Sequence, residues 1–140
     1  MMRLPPSSVF ADTSYYYASL DSRDRHHART RELNLLISQQ GLALVSSWEI
    51  VVETVTLLRN RHSFSAATIF IRHLLPHIEV IYLDEKSRAR AIHLFEKFSR
   101  DKRLSLCDVI SYLLVTEHLK GIPCLAFDDD FRQLGLNVMK

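Results

Sequence analysis

Five acidic residues stand where this sequence could use them for chemistry: Asp12, Glu53, Asp108, Asp128 and Asp130. Asp12 ends the apolar run Val9-Phe10-Ala11 and is followed by two small hydroxyl residues, Thr13 and Ser14. That order predicts a first β-strand delivering a carboxylate into the crevice where open α/β sheets bind their ligands. A helix cap would explain Asp12 equally well. Glu53 interrupts an apolar run containing Trp48, Ile50, Val51, Val55, Leu57 and Leu58. Charged side chains rarely occupy such runs unless paired or bound to a metal. Its structural alternative is a bridge from the helix edge to an arginine, and Glu49 one turn earlier adds mild repulsion. Asp108 opens the apolar stretch Val109, Ile110, Leu113, Leu114 and Val115, a place that the helix dipole alone accounts for. Asp128, Asp129 and Asp130 follow another apolar run. Three adjacent carboxylates repel one another unless a cation offsets them.

In a parallel sheet Asp12 and Asp128 would reach the same edge, and helices starting near it could add Glu53 and Asp108. A ring of hard oxygen donors selects Mg²⁺ or Mn²⁺. Its chemistry would be metal-assisted attack of water on a phosphodiester, with the bound ion lowering the pKa of water and offsetting oxygen charge. Such a site needs no histidine or cysteine nucleophile. The seven histidines are scattered apart from the pair His26-His27, and no HxxxH or HExxH spacing suggests zinc. With three glycines in the chain, neither GxGxxG nor a P-loop is present, which argues against a nucleotide cofactor.

The net charge of +2 conceals segregated clusters. Arg23, Arg25, Arg29 and Arg31 crowd one segment, and Lys97, Arg100, Lys102 and Arg103 another. Basic residues around a carboxylate site suit a polyanion held through its phosphates, although each cluster alone reads as a solvated helix face. Cys107 and Cys124 are too few for a structural zinc site, and both lie in apolar surroundings that suggest buried, reduced thiols. Met1 to Pro6 lacks the apolar core of a signal peptide. No run approaches the roughly 18 apolar residues of a membrane span. The expected setting is the cytoplasm, with no membrane partner.

Stepping along the chain, strands are expected at Val9–Ala11, Leu42–Val45, Ile78–Leu83 and Pro123–Phe127. Helices are expected over Thr13–Leu20, Arg29–Gln39, a segment capped by Ser46 or Ser47, Ala66–Leu75 capped by Ser65, Glu85–Ser99 capped by Asp84, and Asp108–Leu119. Asp24 is a candidate cap for the second helix, and Gly41 suits its C-terminal end. In the fifth helix Ala89, Ile92, Leu94 and Phe95 are the inward-facing candidates. The alternation of strands and helices predicts βαβ units, hence a single α/β domain over residues 1–140 with a mainly parallel central sheet between helical layers.

The order and spacing of these segments resemble the PIN-domain family, in particular its VapC-type toxins, over nearly the whole chain. Asp12-Thr13-Ser14 resembles the family's first-strand acid, and Ser47 to Glu53 the serine-capped helix carrying the second. Leu104 to Asp108 resembles the segment with the third acid, and Ala126-Phe127-Asp128-Asp129-Asp130-Phe131 the closing Thr-x-Asp-x-Asp-Phe pattern. Asp24 and His27 echo an Asp-x-x-His found after the first helix. Ala126 departs from the pattern, where the family carries a hydroxyl that can serve as a hydrogen-bond support. The resemblance implies a PIN-like α/β/α sandwich and an Mg²⁺- or Mn²⁺-dependent ribonuclease. Asp12, Glu53, Asp108 and Asp128 would hold the ion and polarise water, Asp130 would be an outer ligand, and Ser14 would steady Asp12. It also implies a homodimer, an RNA substrate and a small antitoxin whose C-terminal segment lies across the active-site groove.

Other readings compete. A haloacid-dehalogenase-type phosphatase needs a second Asp two residues after the first, where this chain has Ser14. A receiver domain needs a phosphoacceptor after the third strand and a paired acid near the first, and only Asp12 fits. A PIN-fold module that binds RNA or protein with weak catalysis is the non-enzyme alternative. The tyrosines Tyr15 to Tyr17 are candidates for either a dimer surface or the core.

Overall fold

The computed structural model describes residues 7–139. Met1–Pro6, expected not to form a signal peptide, lie outside the described residues. Five strands, β1 (Ser8–Ala11), β2 (Ala43–Ser47), β3 (Ile78–Ile81), β4 (Cys124–Leu125) and β5 (Val138–Met139), form one sheet in the order β3-β2-β1-β4-β5. Every pairing is parallel. β1 is central and buried along its whole length, which explains why Val9-Phe10-Ala11 is an unbroken apolar run.

The connecting helices are α1 (Thr13–Leu20), α2 (His27–Gln40), α3 (Trp48–Arg61), α4 (Phe64–Ile69), α5 (Glu85–Phe98), α6 (Leu106–Leu113) and α7 (Asp130–Gln133). The chain moves outward from β1 through β2 to β3, then returns to the other side of β1 as β4. Right-handed crossovers therefore put α1 to α4 on one face and α5 and α6 on the other. The contacts agree: α1 packs on α2 and α3, α3 on α4, and α5 on α6. The reversal makes the gap between the C-terminal ends of β1 and β4 the topological switch point, the usual ligand crevice of such sheets.

Several boundaries differ from the sequence expectation for identifiable reasons. β4 is only two residues long. Phe127 N–H leaves the ladder to donate to Ser14 Oγ at 3.0 Å. β5 is equally short and was not expected. α4 is capped by Ser63, not Ser65, and continues as a π-turn (Phe70–Leu74) and a 3₁₀ turn (Leu75–His77) with Pro76 inside it. Asp24 is not the cap of α2. It closes the preceding turn, its Oδ1 accepting from His26 N–H at 2.8 Å. On α5 the inward face runs through Ser87, Ala91 and Leu94, while Ala89 and Ile92 are exposed.

The core is aromatic near the site. Tyr15 and Tyr16 are buried, which removes them as a dimer surface, and Tyr16 packs edge-on against Phe70. Among the described residues, no helix is long and apolar enough to cross a membrane.

Candidate carboxylate site at the switch point

Asp12 follows β1 directly and caps α1, so both sequence readings of it hold at once. Its Oδ2 accepts from Ser14 N–H at 3.3 Å and from Ser14 Oγ–H at 2.8 Å. Ser14 Oγ also accepts Phe127 N–H, so one hydroxyl ties Asp12 to the end of β4. Asp12 N–H donates to the Leu125 carbonyl at 2.9 Å, fixing the level of the two strands. A support at position 126 is thus not the only one available: Ala126 is fully buried and Ser14 bonds both sides of the gap.

Ser47, buried at the end of β2, accepts Ile50 N–H at 3.1 Å and starts α3. One helical turn apart, Glu53, Leu57 and Arg61 then face a common cleft. Glu53 forms no ion pair with an arginine among the described residues, so the bridging alternative fails. Its neighbour is the Cys107 thiol, which burial and the Glu53 carboxylate hold protonated. Cys107 is half-buried rather than buried, whereas Cys124 is sealed in the core.

α6 begins with a capping box. Asp108 N–H donates to Ser105 Oγ and Ser105 N–H to Asp108 Oδ2, both at 3.0 Å. The helix therefore starts two residues earlier than expected, and Asp108 is held by its third position. Asp128 follows β4, and Asp130 opens α7.

Asp12, Glu53, Asp108, Asp128 and Asp130 all line a cleft of about 510 Å³, together with Ser14. Their ionisation reports the crowding. Burial first, and Asp128 second, push the Asp12 carboxyl up to about 7. Asp130 is pushed up to about 6 by its enclosure and then by Asp108 and Asp128. Asp128 is raised too, by desolvation in the cleft and then by Asp108, although solvent still reaches it. The side chains pair as Asp12 with Asp128 and Asp108 with Asp130. Among the described residues no three acidic, histidine or cysteine side chains already point at one centre. The donor chemistry fits a hard divalent cation, since hard oxygen anions that repel one another are what such an ion neutralises. Closing on it requires side-chain rotation about fixed backbone positions.

Arg25, Arg61 and Arg103 line the same cleft, as do Tyr17, Asp24 and His26. Two of these arginines come from the basic segments noted in the sequence. Others from those segments serve elsewhere: Arg23 pairs with Asp21 and Lys97 lies over Phe98. His27, the second half of the Asp-x-x-His echo, is structural, with Nδ1 at 2.7 Å from the Ala18 carbonyl oxygen. Arg61 was not singled out from the sequence, although its two-turn spacing to Glu53 could have found it, and His26 was noted only as half of the His26-His27 pair.

A five-stranded parallel α/β sheet with acidic side chains gathered at its switch point defines a class of small α/β domains. Within it the chain belongs to the PIN domain family, which matches residues 9–136. Among solved structures, it is similar to VapC20 of Mycobacterium tuberculosis, described as a sarcin-ricin loop cleaving toxin. That similarity is 25% identity, a TM-score of 0.77, and coverage of 91% of this chain and 95% of that one. FitAcB from Neisseria gonorrhoeae shares the fold at 13% identity and a TM-score of 0.69, covering 94% of this chain and 96% of that one. VapBC-1 from nontypeable Haemophilus influenzae shares it at 14% identity and a TM-score of 0.62, with coverage of 95% and 97%. No curated protein matches the chain in sequence.

Proposed function

We propose that this chain is an Mg²⁺- or Mn²⁺-dependent endoribonuclease and the toxin of a toxin–antitoxin pair, acting as a homodimer. The observation that carries the reading is that five acidic residues line one switch-point cleft, with Asp12 driven to about 7 by burial and Asp128. Such crowding is unfavourable in an empty site and becomes useful once a divalent cation binds. VapC20, which shares this fold at 25% identity, is described as a sarcin-ricin loop cleaving toxin.

Asp12, Glu53, Asp108 and Asp128 would hold the ion, with Asp130 outside them. When bound, it supplies Lewis acidity toward the phosphate and a lowered pKa for water. The chain's own residues do the rest. Ser14 keeps Asp12 aimed from β1 toward β4. The capping box holds the backbone of Asp108 still. Arg25, Arg61 and Arg103 draw phosphates to the rim. Protons on Asp12 and Asp130 would compete with the ion, so its binding would strengthen as pH rises through about 6 to 7.

A second groove supports the partner reading. A cavity of about 600 Å³ is lined by Trp48, Val52, Tyr82, Ile92 and Leu106, all exposed, and Glu53 lines this groove as well as the cleft. An antitoxin segment anchored there by apolar side chains would lead directly over the carboxylates. The alternative, a PIN-fold module that binds RNA or protein with weak turnover, is favoured by the unconverged carboxylates.

The deciding experiment is RNA cleavage by metal-stripped protein with Mg²⁺ or Mn²⁺ restored, beside Asp12→Asn. Cleavage that requires both the ion and Asp12 is the expected result. Metal binding without cleavage would favour the binding module, and no metal binding would overturn the site.

A further inference from the structure

Beside the carboxylates, three aromatic rings form a column that climbs from the core into the cleft. Tyr15 and Phe127 are buried and stacked, with centroids 6.3 Å apart and planes inclined by 25°. His26 lies on Phe127 with centroids 4.4 Å apart and planes within 2° of parallel. The outermost ring is half-buried and lines the cleft, and Phe127 is the residue immediately before Asp128. The column therefore ends next to the carboxylates.

The top ring is also fixed in orientation. The backbone N–H of His26 donates to Asp24 Oδ1, which holds the turn, and on the ring itself Arg25 Nε–H donates to His26 Nε2 at 3.0 Å. In that contact the ring nitrogen Nε2 is the acceptor. The same bond keeps the Arg25 guanidinium against the ring edge. Below, the turn is anchored by Asp21, which Arg23 binds at 3.1 Å and holds at about 2. A flat ring and a cation, held together at the mouth of the cleft, are more than core packing needs.

Resting on the nuclease reading above, we propose that the Tyr15–Phe127–His26 column is a stacking platform for an unpaired nucleobase flanking the cleaved bond. The base becomes the fourth ring of the column, and Arg25 takes a neighbouring phosphate. A base can join such a column only after leaving its own stack, so the favoured substrate is a single strand, loop or bulge and not a continuous duplex. Stacking tolerates any base because each has a π-face, so this contact sets the place of the cut more than the letter read.

The test uses protein carrying Asp12→Asn to prevent turnover, with Mg²⁺ present. Fluorescence anisotropy would compare a labelled single-stranded RNA dodecamer of mixed sequence with an abasic strand of the same length. Adding His26→Ala should weaken the base-containing strand about tenfold and leave the abasic strand unchanged. His26→Phe should keep the affinity, because it keeps the flat ring. A 2-aminopurine in the dodecamer should be quenched on binding the parent and the Phe variant, and not the Ala variant. Equal weakening of both strands by His26→Ala, or none, overturns the platform while leaving the nuclease intact. If His26→Ala fails to fold, loss of 2-aminopurine quenching in the parent itself overturns it. Failure of the parent to bind either strand overturns the nuclease reading along with it.

Discussion

At the scale of single residues, Ser14 donates twice to one oxygen of Asp12 and favours the carboxylate, while burial and Asp128 favour the acid. Burial wins, and the carboxyl rises from an ordinary value near 3.8 to about 7. A folded-state value above the unfolded one means that the fold binds the extra proton. The associated stability is complete below the unfolded value and is lost as pH rises through the interval up to about 7. A shift of this size corresponds to a few kcal/mol, about 1.4 per unit. In metal-free buffer Asp12→Asn should therefore melt several degrees above the wild type at pH 8, with the gap closing below about pH 4. Thermal melts at the two pH values check this, and an unchanged or lower melting temperature at pH 8 would contradict it. If Asp12 holds the ion as proposed, the same substitution should lower cleavage by at least about a hundredfold, because it removes a charged oxygen donor from the ion. Asp12, Glu53 and Asp128 stood out in the sequence because they end or interrupt apolar runs, Asp108 because it opens one, and Asp130 through the acidic triplet. His26 did not, because its stacking partner Phe127 is distant in the chain and meets it only after the sheet has formed.

At the scale of elements, the site depends on how β1, β2 and α1 are locked together under Asp12. Tyr16 of α1 and Ser46 of β2 are both buried, their hydroxyl oxygens 2.6 Å apart. Ser46 Oγ–H donates to the Ala11 carbonyl at 2.7 Å, which leaves the Tyr16 hydroxyl as the donor to Ser46. A nearby contact between the Thr13 and Thr54 hydroxyls, at 3.1 Å, joins α1 to α3. Ser46→Ala would strand both the Tyr16 hydroxyl and the Ala11 carbonyl, and should cost about 2–3 kcal/mol. Tyr16→Phe strands only an acceptor lone pair and should cost about 1 kcal/mol. Urea denaturation of the two single variants and the double variant measures this, and the double should be no worse than Ser46→Ala alone. Strictly additive losses would mean the hydroxyls act independently. Helix and strand identities were legible because the apolar periods are strong, from the buried β1 run to the face of α3. The ends were less so. Ser63 displaced Ser65 as a cap, Ser105 started α6 early, and the two-residue β4 and β5 carry too little pattern to announce a strand.

At the scale of the molecule, the strand order β3-β2-β1-β4-β5 turns four distant segments into one acidic cleft, and the proposed metal role would couple folding, protons and ion there. An ion that binds only the folded chain stabilises it by RT ln(1 + [L]/Kd), about 1.4 kcal/mol at ten times Kd. That should raise the melting temperature by a few degrees. The proton competes for the same oxygens. Asp12 at about 7 and Asp130 at about 6 must both lose theirs before the full donor set is available. At a fixed Mg²⁺ concentration the rise should therefore be small at pH 5.5 and several-fold larger at pH 8. Mg²⁺-dependent RNA cleavage should climb across the same interval. Glu49→Gln provides the control: it removes a carboxylate from the apolar groove, outside the cleft lining, and should leave both responses unchanged. Calorimetric melts of the whole chain at the two pH values, with and without Mg²⁺, separate the cases. A stabilisation independent of pH would put the ion elsewhere on the protein, since among the described residues Asp12, Asp128 and Asp130 are the carboxylates with raised values.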